Sequence, residues 1–396
     1  MIYDCIVIGA GASGLFFAAV RNRPVNGLIL ERTGMAGTKL LISGNGRCNI
    51  THSGSIKDFI PRYGKNGRLI RRCLYKYSNS SLIDFLESGG IKTVTRDDGK
   101  VFPFSMRAAD IRDFLLKKAS ENGFKIKYRV SPKCISKVSE GWSVLTDKGS
   151  FTGKVLIIAA GGCSYPSTGS DGSIFPVLTK HLGLSVTDLT PALCSVVPED
   201  YPYGGLSGIS FENVRISAFR GEKKTGENTG ALLFTERSLS GPAILDLSGS
   251  LKKGDTLNIN YLYPLSYEEA LEKLKKIERE SSGSLPSVIR EAAGLPSRFC
   301  RSLSDRYGPS LKMTASCLTG EKFTVKNLSG FQKAMVTRGG IALSEIDTSS
   351  MELKRFPGLF AVGEVCDIDG ATGGYNLQFA YSSAGAAACG AEKYMD

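Results

Sequence analysis

The chain has 396 residues, 42% of them hydrophobic and 22% charged, enough for two or three domains and a large buried core. Fifty Lys and Arg against 38 Asp and Glu leave a formal charge of +12, which favours anionic ligands without naming one. No run of about 18 uncharged apolar residues occurs, which argues against a membrane-spanning helix, and ten cysteines without a CxxC pair, beside two histidines, argue against a metal site.

The chain opens on "IYDCIVIG", a short buried strand, followed by "SGLFFAAVRNR", the start of a helix. Asp4 precedes the apolar run, no early Lys or Arg does, and glycines interrupt it, so it does not read as an export signal. Between strand and helix lies Gly9-Ala10-Gly11-Ala12-Ser13-Gly14, the spacing of a dinucleotide-binding turn. Gly9 suits the tight turn, Gly11 close approach to a pyrophosphate, and Gly14 close helix–strand packing. A second strand, "GLILER", ends in Glu31, where a carboxylate accepts hydrogen bonds from both ribose hydroxyls.

Further on, "KDFIPRYGKNGRLIRRCLYKY" carries Lys57, Arg62, Lys65, Arg68, Arg71, Arg72 and Lys76 against Asp58 alone. It reads as a solvated helical face that steers an anion; no nucleic-acid-binding motif accompanies it, so a nucleic acid is not the expected partner. "KVLIIAAGGCSYPSTG" is a strand running into Ala160, Gly161 and Gly162, a second close-approach turn. The interval 188–331 changes texture. "DLTPALCSVVPED", "ISFENVRISAFRG" and "TLNINYLYPL" alternate like antiparallel strands, and a helical part follows over about 266–308. The chain returns to a sheet near "AMVTRGGIAL".

The tail, "PGLFAVGEVCDIDGATGGYNLQFAYSSAGAAACG", reads as strand, loop, Gly-rich turn and small-residue helix. Two distant segments built for close approach suit a long ligand such as FAD. Glu364 falls near the pyrophosphate and ribityl chain, and the helix starting near Asn376 aims N–H groups at the flavin N1–C2=O edge.

The stretches "LLISGNGRCNIT", "GKVFPFSMRAADIRDFLLKKA", "LIIAAGGCSYPSTGSDGS", "LLFTERSLSGPAIL" and "GLFAVGEVCDIDGATGGYNLQFA" follow one another as in a bacterial and archaeal flavoprotein group. The chain resembles this aminoacetone-oxidase-like group, which includes the bile-acid-inducible flavoprotein, over essentially its whole length. The resemblance implies an FAD site of Gly9, Gly11, Gly14, Glu31 and Arg32, with Ala12 and Ser13 inside the turn. Lys39 and the loop Gly44, Asn45, Gly46, Arg47, Cys48, Asn49 run along the pyrophosphate and flavin, and Val130 holds the adenine by backbone contacts. Gly161, Gly162, Gly363, Glu364, Asp367, Gly373, Gly374, Asn376 and Leu377 complete the implied set. The chain departs from the group where relatives carry His in "LFTHxGLSGP": here Glu236 and Arg237 stand in "LFTERSLSGP".

The expected fold is α/β: a Rossmann-like FAD domain of the glutathione-reductase type over 1–187 and 332–396, with 188–331 inserted as a strand-rich domain bearing a small helical part. The expected activity is hydride transfer between flavin N5 and a small or medium organic substrate, with NAD(P)H as a transient donor. Within that class, an enone reductase and an amine oxidase releasing peroxide both stay open. A tRNA-modifying flavoprotein using the 57–76 strip, and a redox-silent FAD protein, are the alternatives from other classes. Glu236, Arg237 and Tyr375 are the weak catalytic candidates. Cys48 reads as a packed thiol, His52 and His181 as structural, and the unpaired cysteines as a reducing, cytoplasmic setting.

Overall fold

The computed structural model describes residues 1–21, 23–280 and 283–395. Two compact units form, one from 1–190 with 335–396 and the other from 191–334.

The first unit is built on a parallel sheet whose central strands bury both faces. Its members are β1 (Ile2–Ile8), β2 (Gly27–Glu31), β3 (Phe124–Tyr128), β4 (Gly149–Ile158) and β5 (Leu359–Ala361). The spatial order β5-β4-β1-β2-β3 puts the first strand in the centre, with its neighbours drawn from both directions along the chain. All four of these pairings are parallel. The antiparallel strands Glu352–Leu353 and Ile346–Asp347 extend the β5 edge, and the hairpin Pro132–Val138 with Gly141–Thr146 pairs beside β4.

Unbroken apolar runs explain the burial. Cys5 to Ile8, Leu28 to Leu30 and Val155 to Ile158 are each at most 4% exposed, as a parallel sheet covered by helices requires. Helix α1 (Ala12–Ala19) packs against α2 (Tyr375–Ala391), a helix rich in small buried residues. Phe16 meets Tyr381 edge-on at 5.5 Å there. Each such large apolar side chain, once buried, contributes about 1.5–3 kcal/mol.

Register, not only order, places the site. Ile8 lies opposite Leu30 on β2 and Ile158 on β4, and Ala361 on β5 also lies opposite Ile158. Glu31 faces Tyr128 on β3. The carboxyl ends of five strands therefore finish at one edge of the sheet, where open α/β sheets bind their ligands.

The second unit is a closed six-stranded barrel: Val196–Pro198, Leu239–Ser240, Lys223–Phe234, Ser210–Arg220, Thr256–Asn260 and Glu321–Leu328 in spatial order. The alternation seen in the sequence is the barrel's inside–outside pattern, and closure leaves no free sheet edge. Aromatic rings fill it, with Tyr203 stacked on Phe234 at 4.6 Å and Phe299 nearby. Buried Glu321 accepts from the hydroxyls of Tyr203 (2.6 Å) and Tyr261 (2.7 Å) and pairs with Arg306 at 2.8 Å. Helices Tyr267–Glu280, Leu285–Ala293, Ser297–Tyr307 and Leu311–Gly320 lie beside the barrel strands in sequence. The helical part thus runs past 308 to Gly320; "LKMTASCLTG" has weak helical periodicity and declares itself only through Ser310, whose hydroxyl caps it by accepting from Met313 N–H.

Candidate functional site

The turn after β1 has the predicted close packing. A methyl group on Gly14 would collide with the Gly9 carbonyl and the Val7 side chain, whereas one on Gly11 would point into open space. A groove of that shape is what a pyrophosphate needs: packed tightly beneath, clear above. The first-turn N–H groups of α1, at Ala12, Ser13 and Gly14, have no partner within a helix and supply donors for a phosphate.

Glu31 ends β2 almost buried, at 7% exposure. One carboxylate oxygen accepts from Ala10 N–H at 2.8 Å; the other accepts from Thr33 N–H at 2.7 Å and its hydroxyl at 2.8 Å. These bonds fix the carboxylate at the sheet edge, with acceptor capacity left for ribose hydroxyls. Beside it, Val130 is fully buried and donates its N–H to the Glu31 carbonyl at 2.9 Å. Arg32 is exposed, donates to Ser173 at 2.7 Å and pairs with Asp171.

A second cluster joins three remote parts of the chain. Lys39, on the short helix Thr38–Ile42, donates to both Glu364 oxygens at 3.0 and 2.7 Å and to Ser164 at 2.6 Å. Ser164 in turn donates to Glu364 at 2.7 Å. Thr337 gives its N–H to Glu364 at 2.8 Å, while its hydroxyl accepts from Cys163 and Ser164 N–H at 2.7 and 3.1 Å. Glu364 sits on a single tight turn, Gly363–Val365, immediately after β5, and Gly363 donates to Ser383 of α2 at 3.0 Å. Lys39 is therefore held by a carboxylate, and its charge is already half-spent before any phosphate approaches. Ser164 and Thr337 are additions to the sequence reading. Ser164 lies inside a segment already marked by its glycines; Thr337 carries no local signal.

The 44–49 loop and the tail turn meet. Asn45, between Gly44 and Gly46, and Cys48 adopt left-handed backbone, with φ of 56° and 59°. With its amide oriented to satisfy both ends, Asn49 donates to Val101 and Thr51 carbonyls and accepts from Gly374 N–H at 3.1 Å. Arg47 folds back on the Gly44 carbonyl at 3.2 Å and lies 6.0 Å from the Phe102 ring. Cys48 is fully buried, and burial pushes its thiol up to about 12, the inert state expected of it. Asn376 clamps the tail turn, accepting from Gly370 N–H and donating to Gly370 O, both at 2.8 Å. Gly373, Gly374 and Leu377 thereby stand at the start of α2, with Gly374 as its left-handed N-cap. Asp367 accepts at its carbonyl from Asn66 at 2.8 Å.

Tyr375 is 4% exposed, stacked on His52 at 5.4 Å and flanked by Phe59 and Tyr63. His52 faces carbonyl oxygens with both ring nitrogens, Ser53 at 2.8 Å and Asp98 at 3.0 Å, which is a structural role. His181 meets Cys134 at 3.4 Å, away from the cluster in chain and sheet. Glu236 and Arg237 fall in the second unit, on the connection before Leu239–Ser240; they are 78% and 86% exposed and pair with each other at 3.5 Å. Ala160, Gly161 and Gly162 follow β4 as expected, Gly162 packed on Thr337.

Among the described residues no group of three metal-ligating side chains gathers, and no helix is long and apolar enough to cross a membrane.

The glycine turn, the acid at the end of the second strand and a third contact returning from the far end of the chain agree with the comparison to known families, where residues 3–390 match the HI0933-like protein Rossmann domain family. The chain belongs to that family. It is 29% identical over 98% of its length and 97% of the relative's to a ribosomal RNA dihydrouridine synthase of Escherichia coli K12. It is 26% identical, over 95% of its length and 96% of the relative's, to a 3-dehydro-bile acid delta(4,6)-reductase of Clostridium scindens. Among solved structures it resembles the 3-ketosteroid-delta4-(5alpha)-dehydrogenase of Rhodococcus jostii RHA1 in fold, with a TM-score of 0.51, 14% identity, and coverage of 98% of this chain and 96% of that one. The family resemblance read from the motifs thus holds, with a bile-acid reductase among the relatives. The chain is a flavoprotein oxidoreductase of the Rossmann type.

Proposed function

We propose that this protein is an FAD-dependent reductase of a carbon–carbon double bond conjugated to a carbonyl. The observation that carries the reading is the common edge formed by Gly9–Gly14, Glu31, Ala160–Gly162 and Gly363–Leu377, four segments that strand register and side-chain bonds hold together. The edge offers a phosphate groove, a fixed carboxylate for ribose and a helix start for the flavin ring, in one line.

The relatives' names support the reaction class. A Δ4,6-reductase of a 3-dehydro steroid saturates bonds conjugated to a ketone. A dihydrouridine synthase adds two hydrogens across the uracil C5=C6 bond, which is conjugated to the C4 carbonyl. The two substrates differ greatly in size but share one electrophile.

When bound, FAD supplies the hydride from N5, and a reduced nicotinamide is the proposed donor. The protein's part is positional and electrostatic. Glu31 would hold the adenosine ribose, and the free N–H groups at the start of α1 would hold the pyrophosphate. The Lys39–Glu364–Ser164 cluster holds the middle of the groove rigid. The start of α2, fixed by Asn49 and Asn376, would offer the positive end of a 17-residue helix to a bound flavin, where it would favour a negatively charged reduced ring.

Anaerobic stopped-flow at the flavin band tests the reading. Rapid bleaching by NADH or NADPH, followed by recovery on adding a conjugated enone or a uridine-containing RNA, is expected. Bleaching by aminoacetone with peroxide release would replace this reading with the amine-oxidase one.

A further inference from the structure

The reductase reading leaves open what carries the double bond, and the inference here rests on that reading. We propose that the strip 57–76 is a docking surface for structured RNA, whose base is the substrate. Lys57, Arg62, Lys65, Arg68, Arg71, Arg72 and Lys76 are all exposed. Among the described residues none of the seven lies in an ion pair with a carboxylate. Asp58, the single acid of the strip, is turned to Ser55, accepting from its hydroxyl at 2.7 Å and its N–H at 3.3 Å. Lys57 and Arg62 share the field of Asp58, while Lys65, Arg68, Arg71, Arg72 and Lys76 have no carboxylate partner among the described residues; like charges on one stretch repel one another, and a polyanion relieves that repulsion.

Two features separate RNA from other anions. Tyr75 and Leu69 stand among the cations at 58% and 53% exposure, giving a ring on which an unpaired base stacks. An anionic membrane would call for an apolar helix face, but the helices here, Ile56–Phe59 and Arg71–Lys76, turn Ile56, Phe59, Cys73 and Leu74 into the core.

The strip is also tied directly to the tail turn of the flavin site. Arg62 accepts at its carbonyl from Ala371 N–H at 2.9 Å, Asn66 donates to the Asp367 carbonyl at 2.8 Å, and the Tyr63 hydroxyl donates to the Tyr375 carbonyl at 2.8 Å. The Arg62 guanidinium lies 5.8 Å from the Tyr375 ring. Phosphates held on the strip thus keep an adjacent nucleotide close to the turn that precedes α2.

The experiment is fluorescence anisotropy of the holoprotein with a transcribed hairpin bearing a uridine-rich loop, between 50 and 200 mM salt. The variant Arg68→Ser/Arg71→Ser/Arg72→Ser is compared with Lys253→Ser/Lys273→Ser/Lys276→Ser, which removes the same charge from the second unit. The strip variant is expected to weaken binding at least about tenfold and lower the salt slope by roughly 2, while the control stays near the parent. Flavin content of each variant reports folding. Equal binding by strip variant and parent, no binding by the parent, or strip-dependent binding only to phosphatidylglycerol vesicles would overturn the proposal. The two readings fail separately: flavin that neither an enone nor the RNA reoxidises defeats the reductase even where the strip binds RNA, whereas uracil reduction unaffected by the strip variant defeats the docking surface.

Discussion

Glu31 shows how one residue is prepared for a ligand by the chain's own donors. Replacing it with Gln turns part of an acceptor-only group into a donor facing Ala10 and Thr33 N–H. Glu31→Gln is expected to weaken FAD retention about 10- to 100-fold, since hydrogen bonds to a charged group contribute about 1.5–3 kcal/mol; titration of deflavinated protein with FAD measures it. Arg21 is the opposite case. It is 6% exposed, among the described residues its three guanidinium nitrogens have no hydrogen-bond partner, and its guanidinium lies 5.9 Å from the Phe17 ring. Burial lowers its proton affinity, an effect that Glu392 and Asp4 only partly offset. Arg21→Met is therefore expected to raise stability by about 1–3 kcal/mol in denaturant unfolding, because it removes a buried charge while keeping the apolar stem. The cysteines divide by exposure: at pH 8, iodoacetamide and mass mapping should label exposed Cys389 and leave buried Cys48 and Cys366 intact.

At the level of elements, the sequence reading reached furthest where periodicity and function coincide. The unbroken apolar strands and the glycine turn identify β1, α1 and β2 because close packing leaves few residue choices there. Thr337 was not legible: it serves Glu364 and Ser164 from 27 and 173 residues away, and only the folded sheet brings those positions together. Glu236 and Arg237 interrupt a family pattern, yet both stand exposed and pair with each other. The barrel was legible as alternating strands, but closure depends on which strands pair, and that is decided by long-range register. Its Glu321 cluster yields a pH prediction. Burial and the neighbouring carboxylate raise both Tyr203 and Tyr261 above the ordinary tyrosine range. Stability from these two groups is complete below about pH 10 and falls as pH rises above the unfolded tyrosine value, by about 1.4 kcal/mol per pH unit for each. Thermal melts should be flat from pH 8 to 9.5 in this respect and drop steeply beyond 10.

For the whole molecule, the charge excess visible in composition is not spread evenly: among the described residues no cation of the strip 57–76 forms an ion pair, while cations such as Lys39, Arg220 and Arg306 each hold a carboxylate. Composition could give the sign of the partner but not its address. The address came from hydrogen bonds joining the strip to the tail turn.

The shared finishing line of β1, β2, β4 and β5 has a thermal consequence. Sliding any one of those strands by a single step would exchange its inward and outward side chains and pull one contact away from the ligand groove. Partial loosening is thus costly at every point along that border, and colour should not bleed away ahead of the fold. On heating, release of the yellow chromophore and loss of circular dichroism from the first unit should follow one curve.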